Sequence, residues 1–218
     1  RVLIVQDVYI MSWMTGCDLR SNDSPADLRG SMRERVDLAV RRIQMQITTL
    51  DSTSSRLAQK DQKMFDQVQS ALKSHDPSRA TVIANELVQI RGMARMVKQS
   101  KLAFEQIMIR LNTLRDLGDV VVTLQPAISV IRSIKPHVAA TIPEAEGGIS
   151  ELSGLLNSIM AEASPGPSTS NIDTSGDVAE DILTEASAVA EKWAKDRFPE
   201  IPTEVVNVPQ KQVNESMA

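Results

Sequence analysis

The run Val36-Asp-Leu-Ala-Val40-Arg-Arg-Ile43-Gln-Met-Gln-Ile47-Thr-Thr-Leu50 repeats its branched aliphatic residues at alternating steps of four and three, and the ladder continues through Ser54 and Leu57. That step lays one apolar stripe along a helix, and such a stripe needs a partner helix. A second ladder follows at Ile83, Leu87, Ile90, Ala94, Val97, Lys101, Phe104, Met108 and Leu111. From about Leu28 to Ser74 the chain has no Pro and only Gly30, which predicts a helix of about 45 residues, roughly 70 Å long.

His75-Asp76-Pro77 separates the ladders. Asp76 can cap the second helix, Pro77 suits its first position, and His75 is expected in the last turn of the first helix, where a cation favours the dipole. If the helices fold back on each other there, facing residues have numbers summing to about 151, so Ile47 lies near Phe104, Ile43 near Met108 and Val40 near Leu111. An intermolecular coiled coil would use the same side chains; the agreement of two independent ladders about one turn favours the hairpin. Ser54 and Lys101 interrupt the stripes, and with Lys101 opposite Leu50 they predict a loosened stretch mid-rod.

Composition points the same way. The 218-residue chain is 42% apolar but only 3% aromatic, and 24% charged. A seam filled by aliphatics and Met, with few rings, fits an elongated all-α protein. The expected fold is a long antiparallel helical hairpin with shorter C-terminal helices, the last folding back on the hairpin. Cys17 stands alone and allows no internal disulfide, which suits a reducing cytosol, and with only His75 and His137 there is no sulfur-rich zinc site. No cofactor is expected. Neither a Glu-x-x-His pair, a phosphate-binding Gly loop nor a nucleophile constellation is present, so catalysis is not expected.

Residues Arg1 to Trp13 are mostly apolar, with Asp7 their one acid, yet too short to span a bilayer, which takes about 20 residues. Three readings stay open: a membrane-surface anchor, a strand or helix packed on the body, or non-native sequence ahead of a start at Met11 or Met14. Residues 1–27 end in a polar linker. A helical core is expected over 28–163, with the hairpin to about 118, a helix from about Pro126 to Ala140 kinked at Pro136, and another from Pro143 weakened by Gly147-Gly148. Val120 to Leu124 could be a strand, but it has no hairpin partner nearby. Residues 164–176, Ser-Pro-Gly-Pro-Ser-Thr-Ser-Asn-Ile-Asp-Thr-Ser-Gly, read as a flexible linker. Over 177–198 an amphipathic helix carries Ile182, Leu183, Val189 and Trp193; too short to stand alone in water, it is expected to dock on the hairpin. Residues 199–218 read as a tail.

Charge is split along the chain. Residues 28–118 carry a net +7 and residues 119–218 a net −9. The basic half is marked by Arg33, Arg35, Arg41 and Arg42 on the first helix and Arg91, Arg95 and Lys98 on the second, a surface suited to membrane or polymer contact; the acidic half is expected to neutralise it. With no rings interleaved among these cations, nucleic acid is not an expected partner.

The run Lys101-Leu-Ala-Phe-Glu-Gln-Ile-Met-Ile-Arg-Leu-Asn-Thr-Leu-Arg-Asp-Leu-Gly-Asp119, then Val-Val-Val-Thr-Leu-Gln-Pro126, Ile142-Pro-Glu-Ala-Glu146 and a closing Arg197-Phe198-Pro199, resembles the ESCRT-III superfamily in its archaeal CdvB branch. The resemblance covers about residues 28–200. It implies a cytoplasmic protein, peripheral at the membrane of the division site, that polymerises with itself or its paralogues and is remodelled by an AAA ATPase. In this family the closed monomer folds its acidic C-terminal helix onto the hairpin. It also implies a short tail motif read by the ATPase's microtubule-interacting and transport domain, and Phe198, Pro199, Ile201, Pro202, Val205, Val206 and Pro209 fit the extended, proline-rich type loosely; the plainer reading is a helix terminator and a disordered tail. The nine residues after Pro209 are too few for the winged-helix-like segment of the full-length branch, so a shorter paralogue is expected. A helical scaffold or adaptor that never touches membrane is the competing reading.

Overall fold

The structure, a computed structural model, describes residues 31–117, 120–163 and 172–202. The apolar stretch Arg1 to Trp13, most of the expected linker and three tail residues, Val205, Val206 and Pro209, lie outside them. Five helices follow in order: α1 (Met32–Lys73), α2 (Pro77–Leu117), α3 (Val120–Thr141), α4 (Pro143–Ala163) and α5 (Ile172–Arg197). No strand occurs among the described residues.

Helix α1 starts on a capping box: Glu34 N donates to Ser31 Oγ, and Ser31 N donates to Glu34 Oε2 at 2.7 Å. Its other end corrects the expectation for His75. That residue lies past the last turn in the left-handed region, at φ 56°. There His75 N donates to Leu72 O and Asp76 N to Ala71 O, the paired bonds of a Schellman stop. Asp76 Oδ1 then accepts from Arg79 N at 3.0 Å, capping α2 behind Pro77. One residue with positive φ therefore reverses the chain.

The two long helices pack antiparallel. Lys101 is paired with Asp51, and Arg91 with Asp61, so facing numbers sum to 152 in both cases, one step from the expected register. Ile43, Ile47, Leu50, Leu87, Ile90, Val97, Phe104 and Leu111 are buried, while Val40 and Met108 are half-buried at the seam's edge. The interruption at Lys101 is not a loosened stretch. Leu50 and Ser54 are buried beside it, and the Lys101 ammonium leaves the seam to reach Asp51 and, at 3.8 Å, Glu105. A long stem lets a charge exit while its methylenes stay packed.

Helices α3 and α4 lie at the end of the hairpin away from the turn, and α5 runs back along α2 towards it. Helix α3 packs on α2, α4 and α5, and α4 also packs on α1. One large core joins all five helices, and a smaller one lies by the turn around Val68, Ala71, Ala80, Ala84 and Leu87. Three expectations change here. Helix α3 begins at Val120, six residues earlier than read, and contains both Pro126 and Pro136. Each proline removes one ladder bond, and burial of Leu124, Ala127, Ile131 and Ile134 offsets the loss. Gly148 does more than weaken α4: a Cβ there would meet the Gln46 side chain, so the glycine allows α4 to approach α1 closely. Helix α5 starts at Ile172, within the stretch read as linker.

Candidate functional site: the closing contacts on the hairpin

Two helices cover the basic hairpin, and they do so by different chemistry. Helix α4 lies along α1 with Ile149, Leu152, Leu155, Leu156 and Ile159 buried. Beside this apolar stripe, Arg35 pairs with Glu162 and donates to Ser158 Oγ at 2.7 Å; Arg42 pairs with Glu151 at 3.0 Å and Arg56 with Glu144 at 3.4 Å. The cations grouped in the sequence thus separate. Arg33, Arg41 and Arg95 are exposed, whereas Arg35 is buried and Arg42 half-buried under α4. Neutralisation of α1 comes from the acidic half, through α4 in these three pairs. Arg35 Nε is buried without a partner, which makes this contact costly as well as specific.

Helix α5 docks on α2 and α3. Its buried line is Ala179, Ile182, Ala186, Ala190 and Ala194, with Leu183 and Trp193 half-buried at the margins. Val189, expected on this face, is 46% exposed and points away from it. Ala186 and Ala190 were expected on this face with Val178, Ile182, Leu183 and Trp193; Ala179 and Ala194 went unread, although each continues the same stripe, three residues before Ile182 and four after Ala190. Gln99 Nε2 donates to Leu183 O at 3.5 Å and Gln106 Nε2 to Glu185 Oε2 at 3.0 Å.

The end of α5 is held by one guanidinium. Arg91 meets the buried Asp61 carboxylate through Nε at 2.6 Å and through Nη2 at 3.3 Å, the two-pronged geometry that guanidinium and carboxylate share. A terminal nitrogen of Arg91 also donates to Pro199 O at 2.6 Å. Its plane lies over the rings of Phe65 and Phe198, at 5.8 and 5.3 Å. Trp193 stacks edge-on against Phe198 with centroids 5.4 Å apart, and Lys98 sits over Trp193 at 5.9 Å. Ile201 reaches the small core by the turn. Of the tail residues singled out in the sequence, Phe198, Pro199 and Ile201 therefore join the hairpin, and Pro202 is half-buried beside them. Asp61 went unread, although the first ladder continues to it four residues past Leu57 and 61 plus 91 falls one step from the expected register sum.

Among the described residues no group of three His, Cys, Asp or Glu side chains could hold a metal ion. His137 Nδ1 stands 3.1 Å from Ser133 O within α3. No described helix is long and apolar enough to cross a membrane.

Comparison with known proteins gives this arrangement a family. Cell division protein B1 of Sulfolobus acidocaldarius is 33% identical over 181 residues, which is 83% of this chain and 85% of that protein. The chain belongs to the cell division protein B family. This CdvB family lies within the ESCRT-III superfamily, and the all-helical fold with its last helix returned to the hairpin is the one the resemblance implied. Cell division protein B of the same organism is 29% identical over 171 residues, 77% of this chain and 66% of that protein. No family model and no solved structure matches the chain.

Proposed function

We propose that this CdvB-family chain acts in cell division as a filament-forming, membrane-remodelling protein, and that the arrangement described above is its closed, resting monomer. The observation that carries the reading is the Arg91 clasp: the residues that end α5 and open the tail, Phe198 to Ile201, are held on the hairpin by the same guanidinium that joins α1 to α2. Polymer-forming surface on α2 lies under α5 in this state. Release of α5 uncovers it together with the tail, so assembly and tail recognition rise as one switch. The protein works at the cytoplasmic face of the division-site membrane, peripheral to it, with anionic lipid, copies of itself or paralogues, and an AAA ATPase as partners. The ATPase reads Phe198, Pro199, Ile201 and Pro202 through its microtubule-interacting and transport domain, in competition with the hairpin.

Ile182→Asp, Leu183→Asp and Trp193→Asp together are expected to free α5 and increase pelletable polymer, seen as filaments by negative-stain microscopy with anionic liposomes. A variant that sediments no more than the parent, and forms no filaments, would count against both the closed state and remodelling.

A further inference from the structure

The two apolar cores of the hairpin do not meet. Along the seam the large core ends at Leu50, Leu57 and Val97, and the small one begins at Met64 and Leu87. Ile90 and Ala94 are buried between them and belong to neither. Of the five buried polar or charged side chains among the described residues, four lie in this gap: Thr53, Ser54 and Asp61 on α1 and Ser100 on α2. The register set by the pairs of Lys101 with Asp51 and Arg91 with Asp61 places 52–61 of α1 against 91–100 of α2, so one polar belt crosses both helices. The seam is filled there, but by groups whose burial contributes little.

Both helices are also weak at this level. Six of the eight residues 48–55 carry hydroxyls. Thr48 and Thr49 turn theirs back on the carbonyls of Gln44 and Met45 at 3.0 and 3.1 Å, as Ser100 does on Met96 at 2.9 Å. Such bonds compete with the helix ladder and bend it. Across the seam α2 carries its one glycine, Gly92, where a Cβ would meet nothing within 4 Å. No close approach requires that glycine, so it weakens the helix without serving the packing.

Lateral support changes at the same place. Helix α4 starts beside Arg56, and the hairpin from there to the turn lies beyond it. Helix α5 spans the gap: Ala179, Ile182 and Ala186 belong to the large core, and Ile201, just past its end, packs on the small one. Arg91, bound to Asp61 and to Pro199 O, ties that crossing to the belt.

We propose that the hairpin is hinged at this belt and that α5 is a splint across the hinge. With α5 docked, the arm between the belt and the turn is held in line with the body. With α5 released, the arm tilts about residues 52–61 and 91–100. The inference rests on the filament reading above and deepens it: a subunit freed of its splint adapts its curvature to the polymer instead of imposing one fixed bend.

Hydrogen exchange on the full chain tests the hinge. Ile182→Asp, Leu183→Asp and Trp193→Asp together are expected to speed exchange over 52–61 about tenfold relative to the parent, while Val36 to Ile47 and Val68 to Leu72 change less than about twofold. The stretch 52–61 lies on α1, whereas α5 packs on α2 and α3, so its faster exchange reports bending and not mere uncovering. Phe198→Ala with Ile201→Ala frees only the far end of the splint and should speed the same stretch by a smaller factor. Ser52→Ala, Ser55→Ala and Gly92→Ala stiffen the belt at two exposed positions and one open one. Added to the release variant they should slow the belt again, Gly92→Ala alone by about fivefold on α2. Negative-stain microscopy should then show filaments of a narrower range of diameters. Acceleration confined to α2, or uniform along α1 in both release variants, would overturn the hinge. A parent whose belt already exchanges as fast as the release variant would overturn the splint. Pelletable polymer without a faster belt would overturn the hinge and leave the filament reading in place; a faster belt without polymer would do the reverse.

Discussion

The contact of α4 with α1 and that of α5 with α2 cover two sides of one hairpin, yet they are built from different materials. Helix α4 buries five large aliphatics and adds three ion pairs; helix α5 buries one large aliphatic, Ile182, among four alanines and adds a cluster of rings at its end. Apolar stabilisation follows the area removed from water, about 25 cal/mol per Å². The alanine seam therefore holds its helix less firmly per turn, and α5 depends on the Arg91 clasp at its end. The lesson is an order of opening: α5 leaves at low cost, while α4 stays until its apolar stripe is overcome.

The largest expected effect breaks that order at the clasp. Arg91→Ala leaves Asp61 buried without its cation, a loss of about 3–5 kcal/mol. Chemical denaturation should report it, and hydrogen exchange should show α5 opening before α4. Simultaneous exchange of both helices would refute the order. Leu152→Ala in the α4 stripe comes next, at about 2–5 kcal/mol, because the residue is fully buried. Here the exchange of α4 and α3 should accelerate while the Arg91 clasp persists, read from protection of Phe198 and Ile201.

A smaller effect sharpens the close approach of α4 to α1. Gly147→Ala meets nothing within 4 Å and should stabilise the protein by about 0.5–1 kcal/mol through helix propensity, seen as a raised Tm. Gly148→Ala pushes on the Gln46 side chain and should lose that gain; Gln46→Ala should restore it. The smallest effect lies in the seam between α1 and α2. The hydrogen bond and charge of Lys101 hold the Asp51 carboxyl below its ordinary value of 3.8. A lowered folded-state pKa stabilises above the unfolded value and is lost as pH falls through the folded one. Asp51→Asn should thus cost under about 1 kcal/mol at neutral pH, because the carboxylate is largely exposed, and nothing once acid protonates it. A pH series of denaturation midpoints for the two proteins would show the gap closing.

Much of the hairpin was legible because its information is local. Steps of four and three, an Asp-Pro start and a long run without Pro describe a helix whichever surroundings it meets. The seam from Ile43 to Leu50 and its mates from Leu87 to Leu111 followed from that periodicity, and register followed from the turn. Boundaries that depend on neighbours were misread. Val120 to Thr123 is β-branched and lies just ahead of a proline, yet it is helical because Leu124 and Ala127 are buried in the common core. The closing face was largely legible: Ile182, Ala186, Ala190 and Trp193 follow from helical spacing, whereas Val189 was placed on the wrong side and Ala179 and Ala194 were missed.

By itself the sequence determined that two long helices pair about His75 to Pro77, that their surface is basic, and that acidic helices follow them. Those facts depend on spacing and on charge, which a chain carries before it folds. Which acid meets which base was decided only by the tertiary structure. The same excess of carboxylates could have come from α5, but α4 lies along α1, and ion pairs form between the helices that apolar packing brings within reach. The double use of Arg91, for Asp61 and for the end of α5, is of the same kind. Periodicity places it beside the seam, and three-dimensional packing makes it a clasp.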